Sequence, residues 1–188
     1  AQGGVTTQTS GGEVALPAAT APLPPMPADA PSTMFADARI AATASRSNFS
    51  EIEPSRLAVE RAQMQGVKDY ARMMIDEHTM LEQQMRDMLK QKGLMPVDNG
   101  FSLQLQRNLP PMLDMLRGKS GLAFDDDYMA HMVSSHMLTL HTLDTSLIPE
   151  ADDPQLKAML RDVVRPKVAQ HLERARMLHH QVIQQMHR

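Results

Sequence analysis

The sequence predicts an all-α fold, an up-down-up-down four-helix bundle behind a disordered N-terminal tail. Three observations lead there. Apolar residues recur at spacings of three and four over long stretches, with no strand-like alternation and no internal repeat. These stretches are joined mostly by short turns carrying Gly or Pro, the pattern of an antiparallel bundle. Each of the four also carries one ionisable segment at a depth where a charge is costly unless paired or coordinated. They are EIEPSRLA around Glu51, MIDEH ending at His78, FDDDYMAHMVSSH ending at His136, and RPKVAQHL around His171.

Residues 1–32 hold Pro17, Pro22, Pro24, Pro25, Pro27 and Pro31 among Ala, Thr, Gly and Ser. Proline removes backbone donors and little apolar surface is on offer, so a disordered or polyproline-like tether is expected. The bundle then occupies 33–188. Its first helix starts near Met34 and runs toward Gly66, with Pro54 breaking or kinking it. Ser50 and Glu53 fit a capping box, which would divide it in two. The second helix, 67–92, puts Val67, Tyr70, Ala71, Met74, His78, Leu81 and Met85 on one face and ends at Gly93 and Pro96. Residues 93–123 read as a crossover with a short amphipathic helix broken by Pro110 and Pro111. The third helix runs from about Asp125 to Leu147. After the turn at Pro149, Asp153 and Pro154, the fourth runs from about Gln155 to Gln185 and bends at Pro166.

Composition narrows the function classes. Hydrophobic residues make up 42% of the 188 and aromatics only 3%, so the core must be aliphatic. A net charge of −3 with both signs interspersed gives no footprint for nucleic acid, so no nucleic-acid partner is expected. No apolar run is long enough to span a bilayer, so the chain does not read as an integral membrane protein. Without cysteine, any metal must be held by His, Met, carboxylate or water. The opening AQGGVTTQTSGG resembles the small, polar start of an exported protein after signal cleavage, so a periplasmic or secreted location is expected.

Several short motifs, in order, resemble those of one family. They are Glu51-Ile52 followed by Leu57-Ala58, Val67-Lys68 leading to Met74-Ile75-Asp76-Glu77-His78, and Phe124-Asp125-Asp126-Asp127-Tyr128. Val133 and His136, Leu156-Lys157, Pro166, and His171-Leu172 complete the series. The pattern is similar to that of the bacterial exported family catalogued as domain of unknown function four-one-four-two, over about Phe35 to Leu178. Glu77 stands where that family usually has Asp. The resemblance implies a ferritin-like four-helix bundle and a place in the cell envelope, and supplies almost no chemistry.

The chemistry has to come from the residues. Glu51, His78, His136 and His171 form a nitrogen and carboxylate set suited to a transition metal, Zn or Cu ahead of Fe. The alternative is a buried polar cluster in which the histidines donate to Glu51, to Tyr128 and to carbonyls freed by Pro54 and Pro166. At about 1.5 Å per residue, His78 and His136 lie about 18 and 17 Å from their nearest turns. His171 lies about 27 Å from its turn, closer to Tyr128 at about 30 Å, so two sites are expected rather than one. Di-iron oxidase chemistry needs Glu-x-x-His on two helices, and the chain contains none.

Seventeen methionines add a second metal candidate. Met74 with His78 and Met132 with His136 share a helix face, a soft set for Cu(I), although Met also fills cores poor in aromatics. His179, His180 and His187, with Met186, form a C-terminal cluster. The acidic run Asp125 to Asp127 reads as capping its own helix start. Lys157, Arg161, Arg165, Lys167, Arg174 and Arg176 read as a solvated face. No phosphate-binding loop or nucleophile turn occurs, and no catalytic residue is assigned. The expected function is metal binding for storage, buffering or stress protection; the alternative is a metal-free structural or interaction module. An envelope protein or a second copy of the chain is the expected partner.

Overall fold

The computed structural model describes residues 32–188. But for Ser32, the expected tether lies outside the described residues. Five helices follow, and the described residues contain no strand. They are α1 (Ser32–Arg61), α2 (Gln65–Lys92), α3 (Gly100–Arg117), α4 (121–150) and α5 (154–186).

Successive helices alternate in direction. The link after α2 returns to the start of α1, where Val97 donates to the Ala38 carbonyl and Arg46 pairs with Asp98 at 3.0 Å. From there α3 follows α1 to its far end, where Arg61 donates to the Lys119 carbonyl. Only Ser102 and Leu116 of α3 are buried, so it lies along the outside as the crossover. The four inner helices are α1, α2, α4 and α5, with α1 and α5 pointing one way and α2 and α4 the other. The four-helix bundle therefore runs up-down-down-up instead of the expected up-down-up-down, because α3 makes the extra pass. One long crossover of this kind marks the ferritin-like variant of the bundle.

Proline interrupts the helices less than expected. Pro54 lies inside one continuous α1. Ser50 does not cap a second helix: its hydroxyl donates to the Arg46 carbonyl at 3.0 Å, and Ser55 donates to the Glu51 carbonyl at 2.6 Å. These bonds serve the Arg46 and Glu51 carbonyls, whereas the carbonyl that Pro54 leaves without an amide donor is that of Ser50. Pro110 and Pro111 likewise sit inside α3 and are exposed, on a side where water can serve the carbonyls they leave free. Near Pro149 and Pro166 the chain instead widens. Ile148 bonds back five residues to Leu143, and Arg165 to Leu160, so α4 and α5 each contain a π-type turn, Leu143–Leu147 and Leu160–Val164.

The ends are tied by a reciprocal pair of carboxylates. Asp125 does not cap its own helix, because α4 already starts at Gly121. It accepts from the Gln63 and Met64 amides just ahead of α2, both at 2.8 Å. Asp37, near the start of α1, accepts from Asp152 and Asp153 ahead of α5 at 2.9 and 3.0 Å. Each hairpin therefore holds the turn of the other. Gly93, at φ 65°, closes α2 with a left-handed cap that a side chain would strain.

Two apolar clusters fill the bundle. One gathers Tyr70, Met74, Phe124, Tyr128, Met132 and Ala175 near the α1–α2 turn. The other gathers Ile40, Met85, Leu143, Leu156, Leu160 and Val168 near the α4–α5 turn. Along every inner helix a polar residue separates the two: Glu51, His78, His136 and His171, all buried.

Candidate metal centre

The apolar stripes bring the histidines inward. His78 continues Tyr70, Met74 and Leu81 on α2; His136 follows Tyr128 and Met132 on α4; His171 lies between Val168 and Ala175 on α5. Their rings meet, with centroids 5.7, 5.1 and 5.5 Å apart. One ring nitrogen from each lies within 4.8 Å of the other two. Among the described residues, this is the one such group of three His, Asp or Glu side chains.

His171 therefore joins His78 and His136, contrary to the expected pairing with Tyr128. The depth estimate compared turns as though they lay at one end, whereas Asp125 and Asp37 tie them at opposite ends. Those ends are about 39 Å apart along α1, so His78, about 18 Å from one, is about 21 Å from the other. α4 also runs on to Glu150, so His136 lies about 21 Å and His171 about 26 Å from that same end, against about 33 Å for Tyr128.

Each ring is oriented by an oxygen acceptor, which fixes its tautomer. His136 Nδ1 donates to the Met132 carbonyl at 2.8 Å. His171 Nε2 donates to Glu77 at 2.6 Å. His78 Nδ1 faces Asn48 Oδ1 at 3.0 Å, and the Asn48 amide nitrogen is pinned to Glu82, so that oxygen accepts. The bare nitrogens are then His78 Nε2, His136 Nε2 and His171 Nδ1. All three are buried without a hydrogen-bond partner among the described residues, as is Glu51 Oε2.

Electrostatics keeps these lone pairs free. Burial, then the neighbouring His136 and His171, holds His78 well below the usual imidazole range. Burial also lowers His171, against the opposing pull of Glu77. Burial of Glu77 resists its ionisation, but hydrogen bonds from His171 and Lys167 outweigh it and hold its carboxyl low. His78 and His171 are thus neutral imidazoles, and the carboxylate behind His171 is ionised, the state metal-binding histidines require.

Glu51 sits at the edge of the triad, its Oε2 3.7 Å from His136 Nδ1 and outside the converging group. Tyr128 lies apart. Ser55 spends its proton on the Glu51 carbonyl, so the Tyr128 hydroxyl donates to Ser55 at 2.7 Å. Burial pushes the Tyr128 phenol far up, so it stays protonated in the metal-free chain. Met74 and Met132 pack in the apolar cluster beside it. At the C-terminus, His179 pairs with Asp126 at 2.8 Å, His180 meets Gln184, and His187 is exposed.

Three positions escaped the sequence reading. Asn48 on α1 accepts from His78, Glu82 on α2 pins the Asn48 amide, and Glu77 holds His171. Glu77 points away from His78 on its own helix and finds a partner 94 residues further on. Lys167, read as part of a solvated face, reaches Glu77 at 3.2 Å. No local spacing signals such contacts.

The family model for a domain of unknown function, DUF4142, matches residues 21–178. The chain belongs to this family. The match spans α1, α2, α3 and α4 and most of α5, so every residue of the triad and its supporting shell lies within the family domain. No match is found among curated proteins or solved structures.

Proposed function

We propose that this DUF4142 protein binds one transition-metal ion at His78 Nε2, His136 Nε2 and His171 Nδ1, with Glu51 beside it. One observation carries the reading: three buried histidines each bring a ring nitrogen within 4.8 Å of the other two, and each has one nitrogen held by an oxygen and one with no hydrogen-bond partner among the described residues. A satisfied polar core would pair those nitrogens, because orphaned buried acceptors are rare and costly. Three imidazole nitrogens suit Zn or Cu, then Fe, and the oxygen acceptors behind them are the usual supports of metal-bound histidine.

Such an ion would be stored, buffered or kept from harmful chemistry. The same proposal places the protein in the periplasm or outside the cell, in keeping with the composition of residues 1–12. Metal content after equilibrium dialysis tests the site. Wild type should hold one tightly bound ion per chain, and His78→Ala with His136→Ala should hold none while keeping its helical circular dichroism. Equal uptake by both would place binding elsewhere and leave a metal-free envelope module as the better account. Fractionation of the native host tests the location.

A further inference from the structure

A cavity of about 30 Å³ adjoins the triad. His78, His136, Asn48 and Glu51 border it on one side. Leu81, Met85, Leu143, Leu147, Leu160 and Val168 form an apolar wall on the other. Both π-type turns contribute to that wall, through Leu143 and Leu147 in one and Leu160 and Val164 in the other. Wide turns of this kind inside helices recur at functional sites. Ala44, Ser47, Thr139 and Val164, on α1, α4 and α5, also line the space and are partly exposed.

Size and polarity restrict what can enter. One water needs about 10–15 Å³ by this measure, so the chamber takes about two heavy atoms. Its wall penalises a net charge. Three histidine ligands leave a tetrahedral ion one open position. The Glu51 carboxylate lies outside the converging group in the metal-free structure.

We propose that this chamber is a ligand pocket of the metal centre: a neutral diatomic molecule enters it and takes the open position of the ion. The inference rests on the metal reading, and adds that the ion is an accessible binding centre rather than a sealed store. It concerns reversible binding and involves no bond cleavage or electron transfer.

Carbon monoxide on the Cu(I)-loaded protein is the probe, read by the infrared C–O stretch. Leu160→Phe fills the chamber from a buried wall. Val164→Phe fills it from a partly exposed wall and keeps the test usable if the first variant folds poorly. One copper per chain in all three proteins, with a C–O band in wild type and at least tenfold weaker affinity in the filled variants, supports the pocket. Copper loading without a band, or with a band that filling leaves unchanged, overturns the pocket and spares the metal site. Wild type that takes up no copper removes both.

Discussion

Replacing His136 by leucine should stabilise the metal-free protein. In the folded chain the ring makes one hydrogen bond, from Nδ1 to the Met132 carbonyl one turn earlier in its own helix. Losing such a bond costs about 0.5–1.5 kcal/mol. Against it stands His136 Nε2, buried and without a partner among the described residues; an unsatisfied group of this kind costs about 1–3 kcal/mol. Leucine is close in size and the adjoining chamber can take the difference, so little overpacking strain is expected. The balance favours the variant by about 1 kcal/mol, or about 2–4 °C in Tm for a domain of this length. Differential scanning calorimetry at pH 8 with a chelator measures it. Metal should reverse the order: free ion at about 1,000 times Kd stabilises wild type by about 4 kcal/mol and leaves His136→Leu unmoved. A metal-free variant that melts several degrees below wild type would refute the reasoning, because His136 would then be a satisfied core residue.

Other expectations follow from the same geometry. Glu77→Gln and Asn48→Ala should each weaken metal affinity by about 10- to 100-fold without changing the ligand nitrogens, as measured by competition with a chromophoric chelator. Asp125→Ala should lower stability by about 2–4 kcal/mol in urea, since two backbone amides lose a charged acceptor, while metal affinity stays unchanged. In the metal-free protein the lowered pKa values of His78 and His171 mean that the unfolded chain takes up protons that the folded chain refuses. Stability should therefore be flat above the ordinary imidazole value and fall as pH drops below about 6.5. The slope should approach about 1.4 kcal/mol per pH unit for each histidine. Stability that rises on acidification in urea titrations would contradict this. Substituting His179, His180 and His187 with alanine should leave the tight site intact in the same dialysis assay.

The helical stripes were legible because each inner helix alternates apolar and polar faces, and Glu51, His78, His136 and His171 stood out as ionisable groups on the apolar side. Their family was legible in the order of several short motifs. Convergence of the histidines was not, because it depends on which end of the bundle each turn occupies and on α4 running on to Glu150, neither of which local spacing marks. Pro54, Pro110 and Pro111 lie inside continuous helices instead of breaking them, because each removes a single amide donor and, in α3, solvent can serve the carbonyl left free. Asp125 was placed at its own helix start because a contact with the turn before α2, 61 and 62 residues away, leaves no mark on the local sequence. Asn48 and Glu77 were hidden for the same reason.

The account rests on three imidazoles sharing one ion, and X-ray absorption at the metal edge of the zinc- or copper-loaded protein tests that most directly. It predicts a shell of nitrogen and oxygen scatterers at about 2.0–2.1 Å, with outer-shell scattering from three imidazole rings and no sulfur. A thioether sulfur in the first shell, or a hydrated ion with one imidazole or none, would contradict it.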